Sequence, residues 1–279
     1  MKKATHEIEG GRKLYLYSFG EDAASSRQRG FWNAVGEAWR TEGAAIEEWL
    51  EPVTKAMNDR LGDRQRLALD LGCGGGSMKL PPKWRVFGID PAAEMLCPGK
   101  SIHGDGSAMP IQDASFDAVV SRLAVMLAPD PLQVFREIRR VLRMGGTLTF
   151  SVWAESEANL WSSAVEDALK AELSIRDPLP TEPSAYRLAS KTEVAEMLTT
   201  AGLKLLSSEH VSVPYLSRKD PKDCFNFLVT FVGPIKTMFA KVTDGRKDEV
   251  REKVEKALGE VSRNGLVWVH HAEREVVLD

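Results

Sequence analysis

Asp70, Asp90 and Asp105 are the side chains of this sequence whose type and spacing are best suited to chemistry on a bound small molecule. Asp70 opens Asp70-Leu71-Gly72-Cys73-Gly74-Gly75-Gly76 at the end of the short apolar run Leu67–Leu71. Glycines let a backbone come close to a ligand and take dihedrals that other residues avoid. A dinucleotide loop places glycines as G-x-G-x-x-G so that a diphosphate rests on a helix N-terminus. Counted from Gly72, the third of those positions is Ser77. The spacing here is D-x-G-x-G-x-G, and the carboxylate two residues before Gly72 would repel a diphosphate but suit an ammonium. The same glycines also describe a tight strand-to-helix turn. Asp90 ends the run Val86-Phe87-Gly88-Ile89-Asp90, twenty residues beyond Asp70. A Rossmann-like sheet carries there the acid that accepts from both hydroxyls of a ribose. Asp90-Pro91 is equally a helix N-cap with proline in the first turn. Asp105 lies in Gly104-Asp105-Gly106-Ser107-Ala108-Met109-Pro110, ahead of Phe116-Asp117-Ala118. Alone this is a turn. In register with the other two, its carboxylate would take the amino group of an adenine and the following N–H groups the ring nitrogens.

The elements that must position these acids follow from periodicity. Leu67–Leu71, Val86–Asp90 and Phe116–Ser121 are short apolar runs of buried parallel strands. Helical pattern begins near Phe31, and Ile46, Trp49, Leu50, Val53 and Met57 repeat at three and four residues. A second stripe, Val134, Phe135, Ile138, Val141 and Leu142, follows Pro131, with Gly145-Gly146 as its expected stop before the strand Thr147–Trp153. Alternating strands and helices predict βαβ units with helices on both faces of one sheet. Beyond Trp153 the pattern predicts a helix over 160–173, the proline-rich stretch 177–183 and a helix over 191–201. A strand over 203–213, helices over 222–239 and 246–261 and a last strand over 273–278 complete it. The helical stretches Glu155–Ala189 and Lys219–Arg263 are read as a cap over the sheet's carboxyl edge. The chain thus divides into an N-terminal segment with helices (1–63), a ligand-binding core (64–153) and cap insertions interleaved with the last strands (154–279).

Composition removes several classes. An apolar share of 43% beside 28% charged residues supplies a sizeable core. The formal charge of −3 gives no overall pull toward nucleic acid or anionic lipid. Cations gather between Lys236 and Lys256, but Glu249–Lys253 and Glu252–Lys256 have the spacing of a solvated helix face. The start has no signal-peptide core, and no run reaches the roughly 20 apolar residues of a membrane span. Cys73, Cys97 and Cys224 suit reduced thiols, and no zinc spacing is present. The expectation is a cytoplasmic, metal-free protein.

The motifs LALDLGCGGG, VFGIDPAAEML, GDGSAMPIQDASFDAVV and REIRRVLRMGGTLTF resemble consecutive motifs of class I S-adenosylmethionine-dependent methyltransferases of the ubiquinone/menaquinone-methylase-like superfamily. The likeness is specific over about Leu67–Trp153 and looser toward both ends. It implies a doubly wound Rossmann-like α/β fold. The sheet would be seven-stranded and mostly parallel with an antiparallel last strand, joined by N-terminal helices and a helical cap. It implies S-adenosyl-L-methionine as cofactor, with S-adenosyl-L-homocysteine as product. Asp70, Gly72, Gly74 and Gly76 would form the methionine-side loop, Asp90 with Pro91 the ribose contact, and Asp105, Gly106 and Ser107 the adenine site. Arg122 and Leu123 would line the cofactor's reactive end. One departure is visible: Pro81-Pro82 shorten and break the first helix after the glycines.

The expected function is in-line methyl transfer to a small, partly apolar acceptor. The N/D-P-P-Y/F motif of methylases acting on exocyclic base amines is absent. A general base would be needed only for some acceptors. His103, His210, His270, His271, Tyr15, Tyr17, Tyr186 and Glu155 are conceivable, and each is also an ordinary structural residue. His270 and His271, adjacent in a strand, would face opposite sides. No carboxylate cluster suggests a magnesium site. Cys224–Val232 reads as a packed cap helix or as the wall of an apolar pocket. The segment Leu14–Trp39, dense in aromatics, reads as a lid or as a permanently docked helix. Two alternatives to the function stay open: a tRNA wobble-uridine-type methyltransferase, suggested by the short first helix and the GTLTFSVWA ending, and an S-adenosylmethionine-binding protein that transfers no methyl. Ser77 speaks against a nicotinamide enzyme.

Overall fold

A computed structural model of the chain describes residues 5–8, 12–15, 23–61, 66–176 and 182–275. A short antiparallel hairpin, β1 (Thr5–Ile8) and β2 (Arg12–Tyr15), precedes helices α1 (Ala23–Asn33), α2 (Gly36–Thr41) and α3 (Gly43–Asn58). The sheet strands are β3 (Arg66–Leu71), β4 (Trp84–Asp90), β5 (Ser101–His103), β6 (Phe116–Arg122) and β7 (Leu142–Trp153), with α4 (Pro131–Val141) between the last two. Helices α5 (Leu160–Leu173) and α6 (Lys191–Thr200) lead to β8 (Lys204–Val213). Then α7 (Pro221–Phe231), α8 (Gly233–Lys241) and α9 (Lys247–Glu260) precede β9 (Gly265–Glu273).

The seven-stranded sheet has the order β5-β4-β3-β6-β7-β9-β8, with β9 antiparallel to both neighbours and the other pairs parallel. Strand order reverses between β3 and β6, which opens a crevice at the carboxyl ends where open α/β sheets bind ligands. The stripes expected on α3 and α4 are the buried faces of those helices, and Thr54 joins the first of them. Asp130 caps α4 by accepting from the N–H of Gln133 at 3.0 Å, with Pro131 in the first turn.

Local expectations fail where backbone chemistry outweighs pattern. The glycine loop closes β3 but opens no helix: the connection to β4 is irregular throughout its described length. Pro81 and Pro82 lack donors and push the preceding residue out of helical dihedrals. The loop is held instead by Asn58, whose amide donates to the Lys79 carbonyl at 2.8 Å, and by buried Met78. Helix α4 ends at Val141, ahead of the expected stop, and Gly145 (φ +70) with Gly146 forms an irregularity inside β7. The helix expected over 222–239 is divided at Gly233-Pro234, where a Cβ on Gly233 would lie 2.2 Å from the Phe31 carbonyl oxygen. The last described strand ends at Glu273, so the strand expected over 273–278 is displaced toward the amino terminus, and residues 276–279 lie outside the described residues. Helix α1 starts at Ala23, before the expected Phe31, and β5 and the first hairpin carry too little apolar pattern to be foreseen.

Candidate cofactor site at the carboxyl edge of the sheet

Asp70, Asp90 and Asp105 come together because they terminate neighbouring strands. Asp70 is the penultimate residue of β3, Asp90 the last of β4, and Asp105 lies two residues beyond β5. Asp70 and Asp90 are 5% and 6% exposed, far below what an acid takes without a partner. Burial pushes the Asp70 carboxyl up to about 7, the nearby Arg122 guanidinium pulling it down and Asp90 and Glu47 pushing it further up. No group among the described residues donates a hydrogen bond to Asp70. Asp90 is pushed up to about 6 by burial, against the Ala92 and Gly74 N–H groups that bond it. Those bonds are 2.8 Å to Oδ1 and 2.9 Å to Oδ2. Asp90 therefore shapes the loop as well as facing the crevice, and each oxygen keeps a further lone pair. Asp105 Oδ1 accepts from the backbone N–H and the hydroxyl of Ser107, at 2.8 and 2.9 Å.

Gly72, Gly74 and Gly76 have φ of +71, +54 and +69, the left-handed region that disfavours any side chain. What surrounds them is the protein itself. A Cβ on Gly72 would lie 2.3 Å from the Ala124 Cβ, one on Gly74 3.2 Å from the Trp39 ring, and one on Gly76 3.3 Å from the Cys97 sulfur. The glycines are required by their dihedrals and by this packing before any ligand arrives, a role wider than close approach to a ligand alone. The N–H groups of Gly72 and Cys73 donate to the Ile89 carbonyl at 2.8 and 3.2 Å, fastening the loop over the end of β4. The hydroxyl of Ser121 donates to the Leu71 carbonyl at 2.9 Å and ties β6 to β3 at the same level.

Leu123 has φ +56, an uncommon conformation for a branched side chain and one that marks a backbone held for a purpose. Its N–H donates to the carbonyl and hydroxyl oxygens of Ser151, each at 3.1 Å. Arg122 does not project freely into the crevice. Its guanidinium donates to Glu47 at 2.7 Å and Ser77 at 2.8 Å, and also to Thr54, with its side chain only 6% exposed. Pro91 is half-buried, and its carbonyl lies 2.8 Å from the ring nitrogen of His103.

Among the conceivable bases, His270 and His271 sit deep in the sheet. Trp153, at the carboxyl edge, pairs with Val267, while His270 and His271 pair with Phe150 and Thr149. At about 3.3 Å per residue they lie about 10–13 Å below the edge. His270 is fully buried and bonded to Ser208, His271 is bonded to Thr149, and burial lowers both rings' basicity. His210 stacks on Trp268 with ring centroids 3.6 Å apart. Glu155 is exposed beyond β7. The Tyr186 hydroxyl is buried and close to Glu166, and burial holds its proton on. The side chain of Tyr15 and all of Tyr17 lie outside the described residues. Among the described residues no His, Cys, Asp and Glu group could hold a metal, and the cysteines Cys73, Cys97 and Cys224 are free.

The sequence pattern does not reveal the aromatic cluster at the end of β7. Trp49 on α3 meets Trp153, Trp161 and Phe227 at centroid distances of 6.0, 5.8 and 5.1 Å. Phe231 adds to Phe227 at 4.6 Å. Each aromatic is legible as core, but only the fold shows that α3, β7, α5 and α7 deliver them to one place. Trp39, whose indole N–H donates to the Phe231 carbonyl at 2.8 Å, links this cluster to the glycine loop.

A methyltransferase-domain family model matches residues 69–150, which contain all three acids and the glycine loop. Demethylmenaquinone methyltransferase of Staphylococcus aureus (strain JH9) is 35% identical over 114 residues, covering 35% of this chain and 46% of the relative. The chain thus aligns with about half the length of the curated relatives it matches. Geranyl diphosphate C-methyltransferase from Streptomyces coelicolor A3(2) superposes with a TM-score of 0.51 at 16% identity, over 92% of this chain and 100% of that one. Haemonchus contortus phosphoethanolamine N-methyltransferase 2 gives 0.51 at 16%, over 95% and 62%. These structural likenesses establish the fold. Residues 69–150 thus match a methyltransferase domain, and the fold around them is the one seen in these solved methyltransferases.

Proposed function

We propose that the protein transfers the methyl group of S-adenosylmethionine to a small, partly apolar acceptor. The observation that supports this best is Asp70, buried at the strand end with no hydrogen-bond donor among the described residues. A carboxylate so placed is costly unless a cation joins it, and the ammonium of the cofactor's methionine part is such a cation. Asp90 would take the ribose hydroxyls with its remaining lone pairs, and Asp105, Gly106 and Ser107 would face the adenine. Bound there, the cofactor supplies a sulfonium-activated methyl group. The protein's own work is alignment and exclusion of water. Leu123, locked by Ser151, and Ala124, packed on Gly72, fix the backbone beside the reactive end. The insertions α5 and α7–α9 leave and rejoin the sheet at Trp153, Val213 and Gly265, all at its carboxyl edge.

The acceptor class rests on the aromatic cluster of Trp49, Trp153, Trp161 and Phe227 above that edge, which suits an apolar molecule rather than a polyanion. Several cations of the cap are paired with acids, Lys253 with Glu249, Arg246 with Glu172 and Lys247 with Asp244, which argues against a basic stripe for tRNA there. The name of the S. aureus relative points in the same direction, toward a quinol-like ring. Calorimetric titration with S-adenosylhomocysteine should show binding. Labelled S-adenosylmethionine with reduced naphthoquinones and a cell-extract acceptor screen should yield S-adenosylhomocysteine together with a labelled product. No binding of either cofactor form would overturn the reading. Binding without turnover of any acceptor would leave a sensor rather than an enzyme.

A further inference from the structure

Arg122 joins three parts of the molecule through one guanidinium: β6, α3 and the residue after the glycine loop. It is the last residue of β6, its guanidinium reaches Glu47 and Thr54 on α3, and its other amino nitrogen reaches Ser77, the residue that follows the glycine loop. Glu47 is 15% exposed and Arg122 6%, so this ion pair is shielded from solvent and its charges act at short range. The Arg122 charge is also the largest favourable electrostatic influence on the Asp70 carboxyl, ahead of the opposing contributions of Asp90 and Glu47.

We propose that Arg122 is a positioning residue of the cofactor site: it clamps the glycine loop to α3 and acts on both Glu47 and Asp70, which favours the ionised form of Asp70 and leaves that carboxylate open to a cationic ligand group. The side chain then touches no ligand itself. A charge bound only to Asp70 would neutralise it and occupy the ammonium's place. With Glu47, Thr54 and Ser77 holding the guanidinium, Arg122 favours the ionised carboxylate without bonding to it. The charged groups that act on Asp70 are Arg122 from β6, Asp90 from β4 and Glu47 from α3.

The inference rests on Asp70 as the seat of the cofactor's ammonium, and its test separates the two ideas. S-adenosylhomocysteine and 5′-methylthioadenosine share the nucleoside, but only the first carries an ammonium. The ratio of their affinities from about pH 5.5 to 8.5 therefore cancels the ionisation of Asp90 and reports Asp70. In the wild type that ratio should rise with pH through a midpoint near 7. Arg122→Gln should move the midpoint upward. A midpoint near pH 8 would lower S-adenosylhomocysteine affinity at pH 7 about fivefold while leaving methylthioadenosine within about twofold. Glu47→Gln should move it downward, and Arg122→Lys should hold it near the wild-type value. If Arg122→Gln fails to fold with Glu47 left unpaired, the double variant with Glu47→Gln decides. Its midpoint should stay above wild type, because Arg122 outweighs Glu47 at Asp70. A folded Arg122→Gln or double variant with an unmoved midpoint overturns the proposal. So does an equal loss of both ligands, which is what a merely structural residue would give. A wild-type ratio flat with pH removes the Asp70 reading itself.

Discussion

Replacing Asp70 by asparagine should make the ligand-free protein more stable while removing its affinity for the cofactor. Asp70 is 5% exposed and its carboxyl titrates near 7 in the folded chain, against an ordinary value of 3.8. For an acid whose folded pKa is raised, the folded state holds its proton more tightly than the unfolded state. Folding is therefore penalised in full above about pH 7, and the penalty fades as pH falls from there toward the unfolded value. The difference corresponds to about 4 kcal/mol at pH 8, about 3 kcal/mol at pH 6 and about 1.5 kcal/mol at pH 5. Asparagine keeps the shape and carries no charge, so Asp70→Asn should recover about 2–4 kcal/mol at pH 8 and no more than about 1.5 kcal/mol at pH 5. For a chain of this size the gain at pH 8 is about 3–7 °C in Tm. Thermal melts at both pH values, with and without saturating S-adenosylhomocysteine, measure both halves. The ligand should raise the wild-type Tm and leave that of the variant unchanged. A variant that melts below wild type at pH 8, or that is stabilised equally by the ligand, would refute the reasoning.

Further outcomes follow from the same geometry. Asp90→Ala should weaken S-adenosylhomocysteine binding by about 1.5–3 kcal/mol in calorimetry, because a charge-assisted acceptor is lost; unchanged affinity in a folded variant would remove Asp90 from the site. Gly74→Val puts a branched side chain at φ +54 against Trp39, so it should abolish measurable cofactor binding and alter the near-ultraviolet dichroism of the indole while sparing the far-ultraviolet spectrum. Trypsin should cut at Arg27 at the same rate with and without ligand, since Gly36 packs on the Glu94 carbonyl and Lys236 donates to the Ala34 carbonyl at 2.7 Å, as in a docked helix. Strong protection by ligand would instead favour a lid over 14–39, whose residues 16–22 lie outside the described ones.

The strand ends can be read from the chain because parallel strands buried on both faces leave short apolar runs, and the polar residue that ends each run stands out. Asp70 and Asp90 are legible for that reason, while Asp105 is legible only from its glycine-flanked turn in register with them, and the stripes of α3 and α4 from their three- and four-residue repeats. The glycine loop is legible in position but not in surroundings. Spacing cannot reveal that Trp39, Ala124 and Cys97, distant in sequence, fill the space around it. Arg122 shows the same limit, since its partners Glu47, Thr54 and Ser77 are ordinary polar residues on a helix and a loop, and spacing cannot reveal that they hold it. Proline and glycine act where pattern is weak: Pro81-Pro82 remove a helix and Gly233-Pro234 divide one.

Two kinds of buried polar group coexist in this sheet, and their partners tell them apart. His270 is fully buried and His271 half-buried, burial lowers the basicity of both, and each is bonded to a hydroxyl within the sheet, at Ser208 and Thr149. They belong to the scaffold, and lowering the pH through their unfolded range penalises folding because the buried rings resist protonation. Asp70 has the opposite character: burial resists its charge, yet the chain surrounds it with a guanidinium held in place by other residues rather than with donors of its own. The Glu47, Thr54 and Ser77 bonds hold Arg122, and among the described residues no hydrogen bond joins it to Asp70. If Asp70 seats a cationic ligand group, as proposed, the energetic cost carried by the free protein is offset when that ligand arrives, so affinity for it and instability without it share one cause.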